Sequence, residues 1–428
     1  MSRVIVVGAG LAGLTAALRS RRAGAEVTLI NKGLGGLQLG QGSIDILGYC
    51  PERVIRPLDS LPEYVRAHPE HPYALLADGV AEACGFLAEI TGAHLLAGDG
   101  RTNFQLPTAV GAIRPTAFAP PSLAAADVAD GQRLVVVGLR RLKDFQPTLV
   151  AGNLARSTLA DLDARAVWID VEARAGEHDS SALTYARCFD TPEGFDALAR
   201  ALDGIAGPDE TLLLPACLGL DDLQVAEKLA ARIGRPVAEV ALQPPSVPGM
   251  RLNRALTSAV KAAGVRILNG SEVTGGTFDA RRITGVVVHT AGRARGIAAD
   301  SVILAPGGFE SGALAVDSHL QITERALGLP LTASDAHGLI DEDFWGSDQA
   351  LFSVGVAVDA RMRPVARTLD PHSAEAGQLA EGAGIVYEGL FLAGGIIAGA
   401  NRWREKSGDG IAVASAVRAA DSAVEVMS

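Results

Sequence analysis

The sequence has few of the residues that build metal centres. It contains four cysteines in 428 residues, Cys50, Cys84, Cys188 and Cys217, and none of them has the C-x-x-C spacing of zinc sites or iron–sulfur clusters. We therefore expect buried free thiols and no metal site.

Positive charge and long apolar runs are also scarce. The 49 Asp and Glu residues outnumber the 38 Lys and Arg residues, and the net charge is −11. No basic stripe is present, which argues against a nucleic-acid partner because phosphate binding requires clustered cations. The apolar stretch at 390–400 is roughly half the length of a membrane-spanning helix and contains glycines, so it predicts a strand and a turn. Residues 1–7 lack the pattern of a signal peptide, and we expect a cytoplasmic protein.

The N-terminal segment carries a nucleotide-binding pattern. An apolar run at 4–7 leads into a G-x-G-x-x-G turn with Gly8, Gly10 and Gly13, then into an amphipathic helix pattern and a second strand at 27–30. Gly8 permits the tight turn, Gly10 lets the backbone approach a phosphate, and Gly13 allows close packing of helix on strand. A turn that begins this close to residue 1 favours a flavin over a nicotinamide.

The acidic residue expected after this unit is missing. A dinucleotide site places Asp or Glu about 20 residues beyond the turn, where it accepts a hydrogen bond from a ribose hydroxyl. Asn31 stands at this position. Asn accepts one hydrogen bond without a charge, so the site is compatible with FAD held less tightly or with FMN, which has no adenosine. The residues alone leave both flavins open.

Alternating strand and helix patterns predict an α/β fold. A middle region interrupted by Pro107, Pro120 and Pro244 separates the N-terminal unit from a segment at 300–312 that returns to the nucleotide-binding core. We predict a Rossmann-like, two-dinucleotide-binding flavoprotein with an inserted middle domain. Its flavin-binding domain is split between 1–60 and 265–428, and 61–264 form the inserted substrate or interface domain.

Further glycine-rich segments extend the predicted site. A loop at 33–49 offers backbone donors and a hydroxyl, two glycine turns follow C-terminal strands, and the N-terminus of the last helix is expected to face the flavin and stabilise negative charge. Many FAD proteins have Asp where this chain has Gly395. The predicted cofactor-binding residues are Gly8, Gly10, Leu11, Ala12, Gly13, Asn31, Lys32, Gly42, Ser43, Gly307, Gly394, Gly395, Gly410 and Ile411.

Several strings together point to one family. They are, in chain order, GQGSIDILGY, VVVGLRRLKDFQPTLVAGNL, LTYARCFD, LLLPACLGL, LQPPSVPGMRLNRAL, GGFESG, FSVGVAVDARMRP and LFLAGGIIAG. With these strings the chain resembles the B subunit of the anaerobic, quinone-linked glycerol-3-phosphate dehydrogenases over nearly its whole length.

The resemblance implies an FMN-assigned flavoprotein that pairs with an FAD-containing A subunit and a membrane-associated iron–sulfur C subunit. Such a complex oxidises sn-glycerol 3-phosphate to dihydroxyacetone phosphate and passes electrons to quinone. The chain would then lie at the inner face of the membrane through its partners. The cysteine spacing agrees, since a relay through clusters needs another chain.

Oxidation of a secondary alcohol needs a base for the hydroxyl proton and cations for the phosphate. The candidate bases are His319, His337 and His372, and the candidate cations are Arg251, Arg114, Arg361 and Arg363. Three functions stay open: a catalytic flavoenzyme subunit, an accessory electron-transfer or assembly subunit without its own substrate site, and a stand-alone flavoenzyme similar to fumarate reductases.

Overall fold

A computed structural model describes residues 2–343, 349–366 and 384–425. The first part of the chain contains, in order, β1 (Arg3–Val7), α1 (Leu11–Arg22), β2 (Glu26–Ile30), β3 (Tyr49–Cys50), β4 (Glu52–Arg53), α2 (Pro57–Ala67), α3 (Tyr73–Leu76), α4 (Val80–Thr91), β5 (Phe104–Pro107) and β6 (Ile113–Thr116). The middle part contains α5 (Pro121–Ala124), β7 (Gln132–Leu139), α6 (Pro147–Leu154), β8 (Leu162–Ile169), α7 (Ala182–Phe189), α8 (Pro192–Leu202), β9 (Glu210–Pro215), α9 (Val225–Ile233) and β10 (Val237–Val240).

The last part begins with a long helix that leads back to the first sheet. Its elements are α10 (Val247–Ala262), β11 (Arg266–Leu268), β12 (Ser271–Asp279), β13 (Arg282–Thr290), β14 (Arg293–Ala298), β15 (Ser301–Leu304), β16 (Leu314–Val316), β17 (Ile322–Glu324), β18 (Leu390–Leu392), α11 (Arg402–Glu405) and α12 (Gly408–Glu425). The predicted strand and turn at 390–400 are present as β18 and a short 3-10 helix, Gly394–Ile396.

The first sheet is parallel, with five strands in the order β11-β2-β1-β15-β18. Strands β1, β15 and β18 are almost entirely buried, and α1 and α12 pack together and against them. Strands with both faces covered need continuous apolar runs rather than alternation, which explains the apolar sequence of these segments. The predicted α/β class is confirmed.

The second sheet is also parallel and lies wholly in the middle of the chain. Its order is β10-β9-β7-β8, and α6, α7, α8 and α9 lie on the connections between its strands. Its first strand along the chain, β7, lies between the second and the third. The chain places β8 on one side of β7 and then β9 on the other side. A topological switch point therefore lies between β7 and β9.

The buried apolar residues of the described part of the chain form two large hydrophobic cores. One extends over 4–118 and 252–423, and the other over 113–247. The segment with α2, α3 and α4 belongs to the first core, because Val80, Ala83 and Leu87 pack there and α4 contacts α12. The second core is thus narrower than the predicted insertion at 61–264. Helix α10 joins the two, with Val247 in the second core and Leu252 in the first.

Candidate functional site

The turn between β1 and α1 has the close packing that its glycines predict. Gly8 has a φ of +107°, and a Cβ atom there would overlap the carbonyl oxygen of Ala305. A Cβ at Gly13 would overlap the carbonyl oxygen of Gly8. At Gly10 a Cβ would meet nothing within 4 Å, so the space above this end of α1 is open. An open helix N-terminus with free N–H groups suits a phosphate.

Two more glycine turns meet this one at the carboxyl edge of the first sheet. A Cβ at Gly308, after β15, would lie 2.9 Å from the carbonyl oxygen of Gly395, after β18. A Cβ at Gly394 would lie 2.9 Å from the Cβ of Ala12 and 4.0 Å from that of Ala412. We call this assembly the glycine cradle; its members are Gly8, Gly10, Gly13, Gly307, Gly308, Gly394 and Gly395. Ligands of open parallel sheets bind outside this edge.

Asn31 supplies an unsatisfied acceptor at the end of β2. The residue is 8% exposed, and its Nδ2 donates to the carbonyl oxygen of Gly33 over 3.0 Å. Its Oδ1 is buried and has no hydrogen-bond partner within the described residues. A buried acceptor without a donor is costly, so the geometry fits a ligand hydroxyl at this point. The backbone of Gly8 is adjacent, since its N–H donates to the carbonyl oxygen of Ile30 over 2.9 Å.

The N-terminus of α12 is held beside the cradle. The backbone N–H of Gly410 donates to the carbonyl oxygen of Asp45 over 2.9 Å. The N–H of Gly394 donates to the Ser415 hydroxyl over 2.9 Å, and Ile411 is only 1% exposed. The second turn of α12 therefore packs against the Gly394 turn, and the positive end of the helix dipole lies one turn away, on the side where negative charge on a bound group would be stabilised.

A charged cluster surrounds this helix end. Asp45 Oδ2 accepts from Nη1 of Arg114 over 2.9 Å, and its Oδ1 accepts from the Thr116 hydroxyl over 2.5 Å. Arg114 also donates to the hydroxyl of Ser43. The N–H of Asp45 donates to Oδ2 of Asp409 over 3.1 Å. We call Ser43, Asp45, Arg114, Thr116 and Asp409 the Asp45–Asp409 cluster. Desolvation and the neighbouring Asp45 carboxylate raise the pKa of half-buried Asp409 to about 7.

A second network supports the same helix from α11. The Nδ1 atom of His71 accepts from the N–H of Tyr73 over 3.1 Å, which places the ring proton on Nε2, 3.1 Å from Glu405 Oε2. Glu405 also accepts from the Ser407 hydroxyl over 2.7 Å and from the N–H of Asn401 over 2.8 Å. Desolvation opposes the charge on Glu405, but these hydrogen bonds outweigh it and lower its pKa. The network fixes the turn between α11 and α12.

Arg402 explains why position 395 lacks an acid. Its guanidinium lies over Gly308 and Gly395, and a Cβ at Gly395 would overlap Nη1. Nη2 lies 3.4 Å from the carboxylate of Glu310. The space that Asp takes in many FAD proteins is thus filled here by a cation with its own acidic partner.

The surroundings of Arg251 give it a structural role instead of the predicted one. Its side chain is 4% exposed and pairs over 2.8 Å with Glu239, whose side chain is fully buried. The remaining guanidinium donors bind the carbonyl oxygens of Leu218 and Gly219. All of these partners come from the protein and the guanidinium is buried, so the ion pair attaches α10 to the second sheet and is shielded from a substrate phosphate.

The two described candidate histidines lie on exposed loops. His319 is exposed, and His337 is 69% exposed with Nδ1 2.6 Å from Asp335. Their segments adjoin, because the N–H of Ala336 donates to the carbonyl oxygen of Leu320 over 2.8 Å. Their part as proton acceptors stays a prediction. His372 lies outside the described residues.

Three predicted cofactor contacts face other partners in the structure. Lys32 is exposed and pairs with Glu272 over 2.9 Å. Gly42 packs on Pro248 at the start of α10, and Ser43 belongs to the Asp45–Asp409 cluster. Sequence reasoning missed Asp45, Thr116 and Asp409. The charged run at 401–410 is the one sequence feature that could have pointed to Asp409.

Comparison with known proteins gives the family. Residues 3–411 match the model of the family described as "FAD binding domain". A protein of Halobacterium salinarum, named as the probable B subunit of an anaerobic glycerol-3-phosphate dehydrogenase, is 32% identical, with 100% of this chain and 98% of the relative covered. The B subunit of the anaerobic glycerol-3-phosphate dehydrogenase of Pectobacterium atrosepticum is 27% identical, with 98% and 97% covered.

Two solved structures are also similar. An open conformation of a flavocytochrome c3 fumarate reductase has 12% identity and a TM-score of 0.45, with 99% of this chain and 78% of that chain covered. A 3-ketosteroid delta1-dehydrogenase from Sterolibacterium denitrificans has 11% identity and a TM-score of 0.45, with 100% of both covered. Among the helices described, none has the length and apolarity to cross a membrane. The chain belongs to the FAD binding domain family and, within it, to the B-subunit family of the anaerobic glycerol-3-phosphate dehydrogenases.

Proposed function

We propose that this chain is the flavin subunit of an anaerobic glycerol-3-phosphate dehydrogenase complex and that its cradle binds FAD. The observation that carries the choice of FAD is the unpaired Oδ1 of Asn31. It lies where a dinucleotide site receives a ribose hydroxyl, and FMN has no ribose there. The FMN that the resemblance implied would leave this acceptor unsatisfied.

Different parts of the site would hold different parts of the cofactor. Gly10 and the N-terminus of α1 would hold the pyrophosphate, Asn31 the adenosine ribose, and the N-terminus of α12 the flavin ring. When bound, the flavin supplies an acceptor for two electrons. The chain itself orients the cofactor and places the dipole of α12 where negative charge develops.

The paired state of the arginines favours a role in electron transfer, with the alcohol oxidised on a partner chain. Each arginine that the sequence offered for phosphate binding has a carboxylate partner: Arg251 with Glu239, Arg114 with Asp45, Arg361 with Glu425 and Arg363 with Asp359. A phosphate dianion would have to displace one of these carboxylates. We therefore propose that the chain receives electrons from a substrate-binding partner and passes them through an iron–sulfur partner to quinone at the membrane.

The first test identifies the cofactor. The purified chain is denatured, and the released chromophore is compared by chromatography with FMN and FAD standards. We expect FAD from the wild type and less FAD from Asn31→Ala at limiting cofactor. FMN in the wild type would contradict the assignment of Asn31 to a ribose.

The second test separates the two catalytic roles. Glycerol 3-phosphate is added anaerobically to the flavin-loaded chain, alone and with the FAD-containing and iron–sulfur partners. A loss of flavin absorption that occurs only with the partners present, and that exceeds the loss shown by the FAD-containing partner alone, supports electron transfer from a partner. Bleaching of the isolated chain would assign substrate oxidation to this chain, and turnover of fumarate by the isolated chain would favour the stand-alone alternative.

A further inference from the structure

The Asp45–Asp409 cluster places two carboxylates beside one arginine. Asp45 takes both of the cluster's strong donors, the Arg114 guanidinium and the Thr116 hydroxyl. Asp409 receives the N–H of Asp45 and, among the described residues, has no cation in hydrogen-bond contact. The two carboxylates are therefore unequal, and a proton added to the pair goes to Asp409, whose negative charge is the less compensated.

The cluster is adjacent to the proposed flavin site. Asp409 and Ala412 are three residues apart in α12 and so lie on one face of the helix. The Cβ of Ala412 approaches the position that a Cβ at Gly394 would take, to 4.0 Å. Asp409 thus lies one helical turn from the cradle. The orphaned acceptor of Asn31 indicates independently that this cradle holds a ligand.

We propose that Asp409 takes up a proton from water when the bound flavin is reduced, so that the chain couples electron entry to protonation of its own carboxylate. The proposal rests on flavin binding at the cradle, as proposed above. Two electrons from the partner chain and one proton from water give a reduced flavin that carries one negative charge. A second proton from water then converts the Asp409 carboxylate to the neutral acid. The net charge of the site is unchanged by the complete step.

The charged surroundings of Asp409 set the pH at which this coupling appears. Asp45 acts to raise its pKa, whereas Arg114 and Lys406 act to lower it. The other titratable groups facing it are the hydroxyl of Tyr73 and the thiol of Cys84, both neutral at physiological pH because burial raises their pKa values. Desolvation and the Asp45 carboxylate raise the pKa of Asp409 to about 7. Negative charge added nearby moves this pKa upward.

The test measures the flavin midpoint potential against pH. For a two-electron couple, each proton taken up adds about 30 mV per pH unit to the slope. Below neutral pH Asp409 is protonated in both redox states and adds nothing. Above it, we expect the wild-type slope to steepen by this amount. Asp409→Asn keeps an oxygen acceptor for the N–H of Asp45 and should lose the steepening.

Two further variants sharpen the result. Glu425→Gln, at the other end of α12 and exposed, is the matched control and should follow the wild type. Arg114→Gln removes a cation that lowers the pKa of Asp409, so it should move the inflection to higher pH. A steepening that persists in Asp409→Asn would overturn the proposal.

Infrared difference spectra provide a readout that is independent of potential. Above neutral pH, reduction of the wild type should produce the carbonyl band of a protonated carboxyl group, and this band should be missing in Asp409→Asn. Absence of the band in flavin-loaded wild type contradicts proton uptake by Asp409. A chain that retains no flavin contradicts instead the proposed function, so the two failures are distinguishable.

Discussion

The two parallel sheets of this chain have similar carboxyl edges, but the polar groups at these edges differ in whether the protein satisfies them. At the carboxyl edge of the first sheet, glycine turns leave open space at Gly10 and an unpaired acceptor on Asn31. At the edge of the second sheet, the carboxylate of Asp190 accepts from the N–H groups of three successive residues after β9, Leu220, Asp221 and Asp222.

The same contrast applies to charge. At the edge of the second sheet, Arg251 and Glu239 form a buried ion pair. Glu239 also accepts from the N–H of Leu218 over 2.6 Å. Such N–H groups would otherwise suit a phosphate. Topology alone therefore does not make a nucleotide site; the edge binds a ligand only where the protein leaves its polar groups unsatisfied.

The largest expected effect comes from opening the second edge at Arg251. Arg251→Met leaves Glu239 buried without its cation, and the free energy of unfolding should fall by about 3–5 kcal/mol. Chemical denaturation measures the loss. Flavin affinity should stay close to that of the wild type, because Arg251 does not contact the cradle turns. A large loss of flavin with unchanged stability would contradict the structural role.

The next largest effect is expected from a substitution that fills the glycine turn at the edge of the first sheet. In Gly13→Ala the added Cβ meets the backbone oxygen of Gly8, so the turn must shift, at a cost of about 2–4 kcal/mol. Flavin content should fall with it. Gly85→Ala is the control: Gly85 is exposed in α4 and its Cβ would meet nothing within 4 Å, so it should gain up to about 1 kcal/mol. Full flavin content in Gly13→Ala would refute the geometry of the turn.

These two sites show what local sequence can and cannot predict. The glycine turn was predicted because its requirements lie within six consecutive residues, Gly8 to Gly13. The role of Arg251 was not predicted, because Glu239 and the carbonyls of Leu218 and Gly219 come close to it only once the second parallel sheet has formed. The Asp45–Asp409 cluster likewise joins positions 45, 114 and 409, which no sequence spacing connects.

A third effect tests whether Asp190 stands in for a ligand. Asp190→Ala leaves the N–H groups after β9 without an acceptor and should cost about 1–3 kcal/mol of unfolding free energy. Added phosphate or sulfate should then restore part of the stability of the variant while leaving the wild type nearly unchanged. Equal stabilisation of both proteins by the anion would show that the vacated edge is not an anion site.

The stability of the second sheet should also be sensitive to acid through Glu210 in β9. A hydrogen bond from Arg165, a backbone N–H from Gly207 and nearby cations lower the pKa of Glu210 from 4.5 to about 2. A carboxyl whose pKa is lower when folded stabilises the native state above its unfolded pKa, and this stability is lost as the pH falls from about 4.5 to about 2. Glu210→Gln should flatten stability over this range, and an unchanged pH profile would contradict the contribution.

The smallest expected effect is at Asn31. Asn31→Ala removes one uncharged acceptor, so FAD affinity should fall by about tenfold or less. Asn31→Asp restores the usual charged acceptor and should bind FAD more tightly than the wild type. Fluorescence titration measures both. Identical affinities in the three proteins would remove the ribose from this position.

The most direct measurement of the central claim is the amount of flavin released per chain. The account predicts one FAD per wild-type chain, held by the glycine cradle, and almost none in Gly13→Ala. Two flavins per chain would place a cofactor at the second sheet, and a flavin that remains bound to Gly13→Ala would refute binding at the glycine cradle. Either result would contradict the contrast between the two edges.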